Sequence, residues 1–136
     1  MGTRRRGRES ALQVLYQMDG SEVSASEALR LYFGHLATSD EGREFAERLV
    51  QRFAEERARI DVMIRDVSHH WRLERMTRVD RNILRLGVAE LLLDDNLPRR
   101  VTLNEAVELA KRFGAEGSAG FVNGILDRIA EDLGKE

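Results

Sequence analysis

An all-α fold, about seven helices in one compact bundle, is predicted by three features of this 136-residue chain. Apolar residues recur at i, i+3, i+4 and i+7 through most of its length, the period of a helix that buries one face. Capping-box patterns stand at 24–27, 38–41 and 102–105, each pairing Ser or Thr with Glu three residues on. No strand-like alternation of useful length occurs, no internal repeat is found, and Pro occurs once. A single domain spanning 1–136 is expected, long enough to bury roughly two-thirds of its unfolded surface.

The elements follow in order. Ala11, Val14, Leu15 and Met18 form the stripe of a first helix over about 4–19, ended by Asp19-Gly20. The box at Ser24 opens a short second helix with Leu29, Tyr32, Phe33 and Leu36 inward. The box at Thr38 opens a third with Phe45, Leu49 and Phe53 on its core side. A fourth carries Ile60, Met63, Ile64 and Val67 and is interrupted at His69-His70-Trp71. Over 79–94, Ile83, Leu84, Leu86, Val88, Leu91 and Leu92 surround the whole helix, so this one is central and covered by its neighbours. Asn96-Leu-Pro98 is a turn. The box at Thr102 starts a helix with Leu103, Ala106, Val107 and Ala110 on one face, stopped by Gly114. The last helix begins near Ser118 and buries Val122, Ile125, Leu126, Ile129 and Leu133. Asn123-Gly124 would be a hairpin turn in isolation, but helical spacing on both sides overrides it. Gly124 is expected at a close helix–helix contact.

Composition excludes whole classes of function. Apolar residues at 42% and charged residues at 34% rule out a disordered or low-complexity chain. With no cysteine, thiolate zinc sites, iron–sulfur clusters and cysteine nucleophiles are impossible. His35, His69 and His70 supply no metal site, since neighbouring helical residues point about 100° apart. Carboxylates sit on amphipathic faces or in capping boxes without an acid/base pair. Phosphate loops, nucleophile elbows and dinucleotide fingerprints are absent. The expectation is a non-enzyme without cofactor or metal. Gln13 and Gln17 are too polar for a signal-peptide core, and Met1-Gly2 lacks the Ser or Thr that myristoylation wants where Arg6 stands. No run approaches the roughly 18 apolar residues of a membrane span, so a cytoplasmic location is expected.

What remains is binding. The net charge of −2 hides an asymmetry: residues 1–8 carry Arg4, Arg5, Arg6 and Arg8 and no acid, which splits the chain into +4 and −6. A basic arm on an acidic body is expected. Arginine supplies 20 of the 22 basic residues, which suits phosphate recognition or reflects genomic base composition. On a helical wheel Arg5, Glu9, Leu12 and Tyr16 cluster about 100–160° from Ala11. Tyr16 thus stacks a base beside the arm or sits as a boundary core residue. A second candidate is the start of the last helix. Gly117, Ser118 and Gly120 leave first-turn amides open for an anion near Lys111 and Arg112. Phe121 there either stacks a base or staples into the core. A third surface interleaves Trp71, Met76 and Val79 with Arg72, Glu74, Arg75, Arg78, Asp80 and Arg81. It is a protein-docking face or a solvated helix junction with Trp71 filling a crevice.

Five blocks in order resemble the NusB family of bacterial antitermination factors over essentially the whole chain. They are Arg4-Arg5-Arg6-Gly-Arg8-Glu9 with Ala11-Leu-Gln13-Val-Leu15-Tyr16, then Trp71-Arg-Leu-Glu-Arg75-Met, then Val79-Asp80-Arg81-Asn-Ile83-Leu84-Arg85-Leu-Gly-Val-Ala-Glu90-Leu91. Asn104-Glu105-Ala-Val-Glu108-Leu-Ala110-Lys111-Arg-Phe113-Gly114 and Phe121-Val122-Asn123-Gly124-Ile-Leu126-Asp127 complete the set. The resemblance implies binding of boxA RNA together with the ribosomal protein NusE. It also implies an antitermination complex with RNA polymerase and other Nus factors, promoting ribosomal RNA transcription. It places Arg4, Arg5, Arg6 and Arg8 against RNA, with Tyr16 and Phe121 as RNA-side aromatics. The NusE-facing acid falls at Asp80, and Glu74 aligns only across a gap. Gly117 stands where some relatives carry an acid.

With Lys111 and Ser118 from the anion site, these make the expected RNA set; Glu74, Asp80 and Arg81 make the partner set. Four phosphate-binding arginines would give a log–log salt slope of roughly −3 on a single strand. A homodimer through exposed helix faces stays open. The same unit occurs fused to RNA cytosine methyltransferases, but the chain ends at Glu136 without room for a cofactor domain, so a free-standing factor is expected. The alternative is a protein-binding helical adaptor without RNA contact.

Overall fold

The computed structural model describes residues 2–69, 71–93 and 96–136. His70 and Asp94 therefore lie outside the described residues. The elements are α1 (Thr3–Met18), α2 (Ala25–Leu31), a π-helical segment (Tyr32–Leu36), α3 (Arg43–Glu55), α4 (Arg57–Val67), a 3-10 turn (Leu73–Arg75), α5 (Arg78–Leu91), α6 (Arg99–Phe113) and α7 (Ser118–Asp132). Among the described residues there is no strand. The all-helical, seven-helix expectation holds.

α5 is the axis. It packs against α1, α3, α4, α6 and α7, and Ile83, Leu84 and Val88 are wholly buried. A helix apolar on most sides needs neighbours on most sides. Three polar residues share this burial, however: Asn82, Arg85 and Glu90. Each finds a partner from another element, because an unpaired buried charge costs several kcal/mol. Arg85 forks onto Asp61 of α4 at 3.0 and 3.1 Å, and Asn82 donates to Asp19 at 2.9 Å. Glu90 receives Arg8 from α1 at 2.7 Å on both oxygens, and its Oε2 also accepts from the Thr102 hydroxyl at 2.7 Å.

Several local expectations change. Ser24 caps α2, accepting from the Glu27 amide at 3.2 Å. The box at 38–41 does not cap α3, which starts at Arg43 after Gly42 in the left-handed region (φ 77°). A Cβ on Gly42 would come within 2.4 Å of the Gly7 nitrogen, so α1 and the start of α3 cross backbone to backbone. The box at 102–105 lies inside α6, which begins one turn earlier behind Pro98; Thr102 spends its hydroxyl on Glu90 instead. Leu36, expected inward, is 57% exposed. The π-helical segment, closed by the Ala37 amide on the Tyr32 carbonyl, shifts the helical phase by one residue. Gly124 is not a close contact, since a Cβ there would meet nothing within 4 Å. The close approach is at Gly87, where a Cβ would lie 2.6 Å from Leu126.

Candidate nucleic-acid interface

Residues 3–8 are the first turns of α1, not a separate arm. A helix turns about 100° per residue, so consecutive arginines must diverge. Arg4 and Arg8, four apart, both flank the Phe45 ring of α3 at 4.9 and 5.2 Å. Arg8 continues inward to Glu90 and is only 5% exposed. This corrects its expected place on the RNA: its guanidinium is spent on a buried carboxylate. Arg6 is half-buried and Arg4 and Arg5 are exposed. Arg5 turns the other way, towards α6, donating from Nε and Nη2 to Glu105 at 3.0 and 2.6 Å. That hydrogen bond raises the Arg5 pKa and holds the Glu105 carboxyl below the ordinary range.

Further along the same flank Arg112 pairs with Glu9. Lys111 is exposed and lies 3.7 Å from Glu108. Tyr16 is 38% exposed and lines a groove with Leu12, Gln13, Val79 and Phe113. The Arg78 guanidinium lies 4.5 Å from its ring centroid. One ring of the expected RNA set is thus already engaged in a cation–π contact. Arg78 was expected on the docking surface with Trp71 and Asp80, not beside Tyr16. Its place could not be read from local spacing, because Tyr16 and Arg78 meet only through the packing of α1 on α5.

The start of α7 departs from expectation in one respect. Gly117 takes the N-cap position at φ 88°. Ser118, however, is 4% exposed, its hydroxyl accepts from the Ala115 amide at 3.0 Å, and its own amide bonds back to the Ala115 carbonyl. Its side chain closes the α6–α7 turn and offers nothing to an anion at the surface. Phe121 is half-buried and meets Trp71 edge-on, with centroids 6.3 Å apart. Both belong to one groove of about 310 Å³ with Asp80, Met76 and Gly117. The structure thus joins an RNA-set aromatic to the partner-set acid. Trp71 is 55% exposed, not a crevice filler.

Asp80 stands in the first turn of α5, its amide capped by Thr77 at 3.1 Å. Its Oδ1 is buried without a hydrogen-bond partner among the described residues. Glu74 is exposed and pairs with Arg65 at 3.1 Å. Arg81 is corrected: its side chain is 16% exposed. It donates to Asp19 at 2.7 Å and to the Leu73 and Met76 carbonyls at 3.3 and 3.4 Å, fastening the 3-10 turn to the end of α1. Among the described residues no cluster of His, Asp and Glu could hold a metal, and no helix is long and apolar enough to cross a membrane.

The described residues form an all-helical fold with a charged groove between α1 and α6 and a second groove where α5 and α7 meet. The family model described as NusB family matches residues 5–131. "Transcription antitermination protein NusB" of Sorangium cellulosum is 50% identical over 99% of this chain and 96% of its own length. The Myxococcus xanthus protein of that name is 48% identical over 99% of both. Among solved structures, T. maritima NusB matches with a TM-score of 0.83 and 37% identity, covering 95% of this chain and 91% of its own. A structure of antitermination factors NusB and NusE in complex with dsRNA matches with a TM-score of 0.78 and 28% identity over 96% and 97%. The chain belongs to the NusB family.

Proposed function

We propose that this chain is a cytoplasmic, non-catalytic transcription antitermination factor. It binds boxA RNA together with the ribosomal protein NusE and joins RNA polymerase and other Nus factors in promoting ribosomal RNA transcription. What carries the reading is family membership across nearly the whole chain, including a solved relative caught with both NusE and RNA. The chain acts as one domain, 1–136. Arg4, Arg5 and Arg6 supply sequence-independent attraction to phosphates, with Lys111 of α6 adding a further exposed charge. Tyr16 and Phe121 offer ring surface to bases. Asp80 and Glu74 face the protein partner.

With Arg8 buried, three arm arginines are left for phosphates, and the expected salt slope falls to about −2 for single-stranded RNA. A fluorescence-anisotropy titration with boxA and scrambled RNA, with and without NusE, tests the reading. Selective binding that tightens with NusE is expected, because linked contacts on one strand reinforce each other. Arg5→Ala should weaken RNA binding and spare NusE capture, and Asp80→Arg should do the reverse. Equal affinity for both RNAs, with NusE capture intact, would leave only a protein-binding adaptor.

A further inference from the structure

α1 packs on α3 and α5, while α6 packs on α5 and α7. The two helices therefore face each other across a groove of about 260 Å³, spanned by charged side chains. Two ion pairs cross it in opposite senses: Arg5 of α1 reaches Glu105 of α6, and Arg112 of α6 reaches Glu9 of α1. In both, the acid is sunk and the base stands out. Glu105 and Glu9 side chains are 14% and 17% exposed, against 45% and 48% for Arg5 and Arg112. By formal count the groove is neutral. In these two pairs guanidinium faces outward and carboxylate inward, whereas the groove's remaining charges are reversed, with Glu108 half-exposed and Arg8 buried.

Arg5 spends one edge of its planar fork, Nε and Nη2, on Glu105. The edge that includes Nη1 keeps its donors for a second acceptor. Glu105 is itself anchored, since its Oε1 also takes Arg8 Nη1 at 3.4 Å. An exposed arginine must give up rotamer freedom to grip a phosphate, and one already fixed on a carboxylate has given up most of it.

We infer that Glu105 and Glu9 are positioning residues that hold Arg5 and Arg112 for RNA phosphates, and that Arg112 is itself a phosphate-contacting residue. This rests on the RNA-binding reading above. The competing effect is electrostatic: a carboxylate near RNA also repels it. The two effects separate when the arginine is removed, because repulsion persists without it and positioning does not.

The test is anisotropy titration of labelled single-stranded boxA RNA onto the full chain. Glu105→Gln and Glu9→Gln should each weaken binding roughly two- to fivefold, the scale of an exposed ion pair. In an Arg5→Ala background Glu105→Gln should no longer weaken it, nor should Glu9→Gln in an Arg112→Ala background. Arg112→Ala alone should flatten the salt slope by roughly 0.7. The inference is overturned by tighter binding of either glutamine variant. It is equally overturned by weakening that survives loss of the arginine, or by an unchanged slope in Arg112→Ala. Wild-type chain that ignores boxA would remove the RNA reading as well; wild-type binding indifferent to both glutamates removes this inference alone.

Discussion

Arg5 and Arg8 stand three residues apart on one helix, and both fork onto a glutamate from elsewhere in the chain. Their surroundings make them different devices. The Arg8–Glu90 pair has side chains 6% and 2% exposed, and the Thr102 hydroxyl completes it. Arg5 is 45% exposed over a sunken Glu105. In a low-dielectric interior, a paired charge is tolerable and an orphaned one is not. At a wet rim the same pair is worth little to stability, because water and salt compete for both partners. The buried pair therefore ties α1 to α5, while the rim pair is free to serve a ligand. On the proposed reading, identical chemistry divides into fold and RNA contact by depth.

The largest effect should come from breaking the deep pair. Glu90→Ala leaves the Arg8 guanidinium only its longer 3.4 Å contact with Glu105 and takes away the Thr102 hydroxyl's acceptor, and is expected to cost about 3–5 kcal/mol. Urea denaturation followed by circular dichroism would measure it. A loss below about 1 kcal/mol, the scale of an exposed pair, would mean that Arg8 reaches solvent, and would return it to the RNA-facing set.

This division was only half legible in the sequence. The apolar run around Ile83 to Leu91 marked α5 as central, since burial on all sides leaves a local signature. Its polar residues left none: Glu90 meets Arg8 across 82 positions and Arg85 meets Asp61 across 24. Periodicity carries no information about such long-range partners. Four arginines among the first eight residues suggest an arm because composition does not record direction, whereas α1 turns Arg8 inward and Arg5 outward. Ser118 and Arg81 failed similarly, as residues of suitable type already committed to a turn and to Asp19. Asp80, Trp71 and Phe121 instead come together in one groove, Trp71 exposed and the other two half-buried, a meeting across α5 and α7 that no local spacing records.

A smaller effect should appear on acidification, and it belongs to the rim. The hydrogen bond from Arg5, with the charges of Arg8 and Arg5 adding to it, depresses the Glu105 pKa despite partial burial. A carboxylate whose pKa is lower folded than unfolded stabilises the fold above its unfolded value. That contribution is lost as pH falls through the folded value. Asp19 adds in the same direction: burial pushes its pKa up, but hydrogen bonds from Arg81 and Asn82, with the charges of Arg81 and Arg85, outweigh it. Between about pH 5 and pH 3, around and below the ordinary carboxylate range, wild-type stability should fall more steeply than that of Glu105→Gln. Parallel slopes for the two proteins would show that Arg5 does not engage Glu105 in solution.

The smallest effect is the most diagnostic. Arg112→Ala removes a half-exposed guanidinium from a groove that α1 and α6 leave open to water. Glu9 keeps access to solvent after the loss, so no orphaned buried charge remains. The expected change in unfolding free energy is within about 1 kcal/mol, and less at high salt, where an exposed pair is screened. Set beside the Glu90→Ala loss, measured in the same denaturant, it separates an arginine kept for the fold from one kept for the surface. A loss of several kcal/mol would place the α1–α6 rim in the structural class with Arg8, and would make the outward guanidiniums part of the scaffold.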